Sequence, residues 1–190
     1  MDSLINPLAF DQPELSSERL LLRKLSMDDA EAIFEYASQD EVTRFMLWDT
    51  NRTIEETRTF LKMSLEAYDA KVPGIWAIVY KPENKVIGTL GMHNYRPQHF
   101  RVEIGYVIAK PYWGRGIMTE AVKTVLTFCF ETMGLNRVDA CCFDGNIASE
   151  RVILKSGMKY EGTLREFVFV KGKLWDVRMF SILRREYSMT

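Results

Sequence analysis

The sequence is poorest in the features that mark a membrane, secreted, metal-binding or nucleic-acid-binding protein. No run approaches the roughly 18 apolar residues of a membrane span. The start, Met1-Asp-Ser-Leu-Ile-Asn-Pro7, lacks the basic stretch and apolar core of a secretory signal. Cysteine is limited to Cys129, Cys141 and Cys142. Their odd count favours a reducing compartment, and with no C-x-x-C pair the spacing of a metal site is missing. Histidine is scarcer still, with only His93 and His99. A basic excess is absent: 25 Lys and Arg stand against 26 Asp and Glu, for a net charge of −1. Direct nucleic-acid binding is therefore not expected. These absences predict a cytoplasmic protein without metal, membrane or nucleic-acid contact, and leave a homodimer open.

What remains suits one ordinary domain. Of the 190 residues, 47% are hydrophobic and 27% charged, which argues against disorder and against a coiled coil. Residues 1–17, with Pro7 and Pro13, read as an N-terminal extension, and residues 18–187 as the domain. Arg19-Leu-Leu-Leu-Arg23 reads as a first strand. Ser26 with Asp29, and Thr53 with Glu56, mark two helix starts by the capping-box spacing. Pro73-Gly74 ends the second helix. Three strands follow, at Ile75–Tyr80, Val86–Met92 and Phe100–Ile108, as an antiparallel meander. On the third, Phe100, Val102, Ile104, Tyr106 and Ile108 share one face, and Arg101, Glu103, Gly105 and Val107 the other. A helix is predicted from Gly116 to about Met133, a strand at Arg137–Phe143, a short helix at Ala148–Lys155, and strands to Leu183. The fold class is α/β in the α+β sense: one mixed, mostly antiparallel twisted sheet with helices on both faces.

One stretch carries chemistry. Ile104 to Glu120 runs from strand through a glycine-containing turn into a helix. Gly114 and Gly116 allow a sharp turn and close backbone approach, and the helix offers unpaired N–H groups and the positive end of its dipole. That is an anion site of the kind a pyrophosphate occupies. A Walker A string is absent, and a dinucleotide fingerprint would need a third glycine where Met118 and Thr119 stand.

Tyr112-Trp-Gly-Arg-Gly-Ile-Met-Thr-Glu-Ala121 resembles the acyl-CoA loop of the GNAT acetyltransferases, most nearly their Rim-type branch of ribosomal-protein N-terminal acetyltransferases. The resemblance continues through Asn146-Ile-Ala-Ser149, Gly157–Arg165, Gly172, Asp176 and Leu183–Tyr187. It departs from the general loop pattern at Trp113, which is usual for that branch, and at Met118, which stands where Gly or Ala is the rule. The resemblance implies acetyl-CoA as cosubstrate and an amine as acceptor: a protein N-terminus, or alternatively a small molecule such as a polyamine, an antibiotic or an amino-acid derivative. A non-catalytic acyl-CoA-binding module on the same scaffold is the reading of another class.

The site residues follow from the resemblance. Loop amides of Trp113, Gly114, Arg115, Gly116, Ile117, Met118 and Thr119 would cradle the pyrophosphate, with Arg115 either reaching a phosphate or solvated. Tyr106, Val107 and Ile108 would pair with the pantetheine through backbone groups, and an N–H near Val107 would polarise the thioester carbonyl. Asn146 would hydrogen-bond the pantetheine. Glu103 matches the general base and Ser149 the general acid. Local readings stand beside these: Glu103 as a solvated strand carboxylate, Asn146 as a helix N-cap, and Ser149 as a first-turn residue. His93 and His99 titrate in a suitable range but sit at no family motif position. Cys141 and Cys142 are expected to be buried as small hydrophobes. Phe45, Met46, Trp48, Tyr95, Phe167 and Trp175 would pack in the core or line an acceptor cleft.

Overall fold

The computed structural model describes residues 10–187. Its frame is an eight-stranded sheet: β1 (Leu15–Ser16), β2 (Leu20–Lys24), β3 (Ile75–Tyr80), β4 (Lys85–Arg96), β5 (Arg101–Ile108), β6 (Arg137–Phe143), β7 (Lys159–Val170) and β8 (Lys173–Leu183). The spatial order is β1-β2-β3-β4-β5-β6-β8-β7. Every described pairing is antiparallel except that of β5 with β6. The helices are α1 (Ala30–Ala37), α2 (Asp40–Thr43), α3 (Ile54–Asp69), α4 (Ile117–Thr127), α5 (Ile147–Lys155) and α6 (Arg184–Tyr187). A π-helical turn at Phe128–Thr132 extends α4.

Two hydrophobic cores lie on opposite faces of the sheet. One joins Leu20, Ile78, Leu90, Ile104 and Phe180 to Val122 and Val125 of α4 and to Ile153 of α5. The other joins Ala77, Val79 and Val86 to Ile33 and Tyr36 of α1 and Leu61 of α3. The alternation of β5 divides its residues accordingly: Val102 and Ile104 lie within the first core with Tyr106 and Ile108 packed against it, while Val107 packs on the second.

The capping boxes act where their spacing indicates. Asp29 accepts from the Ser26 N–H at 2.8 Å, and Glu56 from the Thr53 N–H at 3.3 Å. The first opens a 3-10 turn at Met27–Asp29 before α1.

Of the N-terminal extension, residues 1–9 lie outside the described residues. Its described part packs on the domain: Phe10 is buried in the first core, Gln12 Oε1 accepts from the Gly74 N–H at 2.9 Å, and β1 pairs with β2. The two strands read at Met158–Leu164 and Phe167–Val170 are one strand, β7, with an irregularity between Leu164 and Val168 and a positive φ at Glu166.

Gly88 sets the spacing of β4 and β5. A Cβ there would meet the Val107 carbonyl oxygen and come within 2.9 Å of Ile108 Cα. Both obstacles are backbone, so neither can rotate away. Gly88→Ala is expected to cost about 1–3 kcal/mol, as overpacking does. For a domain of this size each kcal/mol lowers the Tm by about 2–4 °C. A melting curve matching wild type within 1 °C, on that same scale, would refute the close approach.

Candidate active site

The sheet is split where β5 meets β6. The parallel register pairs Arg101, Val102, Glu103 and Ile104 with Arg137, Val138, Asp139 and Ala140, and stops there. Gly105–Ile108 continue on β5 and Cys141–Phe143 on β6 without pairing each other, so one edge of β5 opens into a cleft.

Which backbone groups face that cleft follows from the hydrogen-bond phase. The Ala109 N–H donates to the Ile87 carbonyl of β4, and on the other edge the Asn136 and Arg137 N–H groups donate to the Phe100 carbonyl. Alternation then turns Gly105 and Val107 toward β4, with Val107 opposite Thr89, and turns Tyr106 and Ile108 toward the cleft. The backbone pairing expected of Val107 is corrected on this ground, because its N–H and C=O belong to the β4 ladder. At Ile108 the carbonyl already accepts from the Trp113 indole at 2.8 Å.

The loop beyond β5 has the geometry of an anion cradle. Gly114 and Gly116 adopt φ of +70° and +73°, values that favour glycine, and space beside the Gly114 Cα is open. Gly116 caps α4, whose first closed bond runs from the Glu120 N–H to the Gly116 carbonyl. The N–H groups of Ile117, Met118 and Thr119 precede that bond. Met118 is compatible with the turn because its side chain is buried in the first core. Arg115 folds over the rings of Tyr80 and Tyr112, its guanidinium carbon 5.3 Å from each centroid.

Glu120 ties the loop to the N-terminal segment. It accepts from Ser17 Oγ at 2.7 Å, the Arg19 N–H at 2.9 Å and Arg19 Nε at 2.6 Å. Arg19 also donates to the Arg115 carbonyl at 3.1 Å. Burial works to raise the Glu120 pKa, but these bonds outweigh it and hold the carboxyl below the usual range.

Across the cleft, Asn146 caps α5, its Oδ1 accepting from the Ser149 N–H at 3.2 Å. Tyr106 Oη lies 3.0 Å from Ser149 Oγ and 3.1 Å from the Ser149 carbonyl. Tyr106 has one proton. The carbonyl can only accept, so both contacts are made together when Tyr106 donates to the carbonyl and the Ser149 hydroxyl donates to Tyr106 Oη. Burial raises the Tyr106 pKa above a phenol's usual value despite the serine bond, so the phenol stays protonated.

Glu103 lies on the opposite face of β5, one residue before its last pair with β6. Its carboxylate accepts from Asn94 Nδ2 at 2.9 Å and from Cys141 Sγ at 3.3 Å. Cys141 is exposed, contrary to the burial expected of it, whereas Cys142 is buried. Desolvation and the Glu103 charge push the Cys141 thiol up to about 12, in keeping with its donating to Glu103. His93 stands directly opposite Glu103 in the β4–β5 ladder.

The contacts of Asn94 and Cys141 with Glu103, and of the Tyr106 hydroxyl with Ser149, were not read from the sequence. The His93–Glu103 pairing was the accessible signal, because both residues lie five positions from Gln98 in the turn at Pro97–His99. Phe45 and Phe143 flank Trp175 at 5.9 and 4.9 Å between ring centroids. Lys171 of the β7–β8 turn donates to the Thr43 carbonyl, so the far end of that hairpin is fastened to the last residue of α2.

A cavity of about 890 Å³ opens elsewhere, among Asp40, Arg44, Asp49, Arg52 and Lys171; no residue of the loop or the split lines it. Among the described residues no group of His, Cys, Asp and Glu could hold a metal ion, and no helix is long and apolar enough to cross a membrane.

A family model described as an acetyltransferase (GNAT) domain matches residues 19–159. The uncharacterized N-acetyltransferase YoaA of Bacillus subtilis is 36% identical over 172 residues, covering 90% of this chain and 97% of its own. The ribosomal-protein-serine acetyltransferase of Escherichia coli is 26% identical over 99 residues, covering 52% of this chain and 55% of its own. A crystal structure of a GNAT-family acetyltransferase from Bacillus anthracis superposes with a TM-score of 0.82 at 31% identity, covering 92% of this chain and 100% of that one.

Proposed function

Because the chain belongs to the GNAT acetyltransferase family, and so transfers an acetyl group to an amine, we propose that its acceptor is a protein N-terminal α-amino group. The observation that carries this reading is the openness of the proton-accepting end. Glu103 is half-buried, while Asn94 and His93 beside it are exposed. Pockets for small ligands are enclosed and bury most of the ligand; a polypeptide terminus needs an open exit for the chain behind it. Likeness to a relative named ribosomal-protein-serine acetyltransferase, from Escherichia coli, favours a protein over a small molecule as acceptor. Such an acceptor, and the free state of the three cysteines, fit a cytoplasmic enzyme.

The residues fit acetyl-CoA. The unpaired N–H groups of Ile117, Met118 and Thr119 and the open space at Gly114 suit a pyrophosphate. The cleft-facing N–H groups of Tyr106 and Ile108, with Asn146, suit the amides of a pantetheine arm. Bound there, acetyl-CoA supplies the thioester under attack.

Glu103 helps remove a proton from the acceptor ammonium. An α-amino group has a pKa of about 7.7–8, against about 10.4 for lysine, so a modest base suffices. Ser149, held beside Tyr106, turns its hydroxyl from Tyr106 Oη to give its proton to the departing thiolate. The reading is tested by free-thiol release with acetyl-CoA across N-terminal peptides, lysine peptides and small amines, with intact mass of the products. Acetylated α-amino groups are expected; turnover confined to small amines would overturn the acceptor assignment.

A further inference from the structure

His93 occupies a seat made for it. Its Nε2 lies 3.1 Å from where a Cβ on Gly91 would stand and 3.3 Å from one on Gly105. Those two glycines are direct cross-strand partners, so the imidazole lies over a floor to which neither of them adds a side chain. Gly105 is also the first β5 residue beyond the last pair with β6, which sets the ring at the start of the split. Glu103 is its neighbour across the ladder.

We propose that His93 is a second proton-accepting residue of the acetyl transfer, its Nε2 taking the proton shed by the acceptor ammonium while the Glu103 carboxylate stabilises the imidazolium. This rests on the reading that acyl transfer occurs at the split.

The proton balance is simple. The ammonium loses one proton to Nε2 and becomes nucleophilic. Its nitrogen bonds to the thioester carbon, the C–S bond breaks with its electron pair on sulfur, and the second nitrogen proton ends on the thiol. His93 is exposed and returns its proton to solvent.

Protonation chemistry favours an imidazole in this place, since an acceptor works best with a pKa near the working pH and an imidazole is nearer to that than a carboxylate. Desolvation against the sheet holds His93 below the usual histidine value, and the Glu103 charge partly restores it. The ring is therefore neutral, and able to accept, at pH 7. Glu103 is the titratable group whose charge reaches it; β3 presents only the aliphatic Ile75 to the same glycine floor.

The test compares kcat/KM between pH 6 and 9.5 for wild type, His93→Gln and His93→Asn, using thiol release with an N-terminal peptide. Both variants are expected to lose at least tenfold at pH 7, with the loss shrinking above pH 8 as the amine deprotonates on its own. Acetyl-CoA affinity by calorimetry should stay within twofold. With only two histidines, loss of one Hε1 resonance in His93→Gln assigns His93 by NMR, and its pKa should fall further in Glu103→Gln. An active wild type with unchanged variants, or with an equal loss at every pH, overturns this proposal alone. A wild type that releases no thiol with any amine overturns the acyl-transfer reading as well.

Discussion

Gly116→Glu is expected to abolish acetyl-CoA binding, lowering affinity at least ~100-fold, a loss of the size expected from placing a fixed negative charge in an anion site. Gly116 caps α4 at φ +73°, immediately before the donors of Ile117, Met118 and Thr119. A glutamate there sets a carboxylate against the same positive helix end that a pyrophosphate would use. The substitution should not unfold the protein. The left-handed conformation costs a non-glycine residue about 1–2 kcal/mol, and a negative charge at a helix N-terminus returns part of that. Gly116→Asn separates the two effects, because asparagine tolerates this conformation and carries no charge. Calorimetric titration of the folded variants decides: tight binding by Gly116→Glu would remove the loop from the cofactor site, whereas retention only by Gly116→Asn identifies charge as the cause.

Glu103→Gln is expected to cut turnover by about 10²–10⁴ at neutral pH, the usual worth of a positioned general base. The amide is isosteric and can still accept a bond from Asn94 or Cys141, so the packing is kept. What disappears is the negative charge that favours proton uptake, whether onto the carboxylate itself or onto the imidazole beside it. The deficit should narrow as pH rises through about 8, where an α-amino group sheds its proton unaided. Wild-type rate and profile in the variant would reduce Glu103 to a strand surface charge.

Elements with local signals were legible in the sequence. Ile75–Tyr80 and Arg137–Phe143 match their observed strands, because both are short β-branched or apolar runs set between turns. The starts of α3 and α5 were legible from Thr53 with Glu56 and from Asn146. Elements fixed by distant partners were not. β1 is two residues long and exists through its pairing with β2, and α2 is a single turn. Bond direction on β5 shows the same limit. Alternation separated Glu103 and Val107 from Tyr106 and Ile108, but which set turns its backbone to the cleft depends on the phase set against β4 from Ala109 and Ile87. Asn94 and Cys141 meet Glu103 from two other strands, and Cys141 arrives only through the nonlocal parallel contact. The carboxylate was visible in the sequence; its partners were a property of the assembled sheet.

The four-residue contact between β5 and β6 also leaves the hydrogen-bond ladder of the sheet discontinuous. On one side lie β1 to β5, and on the other β6, β8 and β7, a wing whose own strands are paired over most of their length. Local opening is easiest where hydrogen bonds are fewest, so the compliant line of the molecule coincides with the cleft. A ligand lying along the unpaired edge of β5 would act as a missing strand and couple the wings. Stabilisation by such a ligand grows as RT ln(1 + [L]/Kd). Its effect would be concentrated at this seam, so occupancy would govern how far the two wings behave as one cooperative unit.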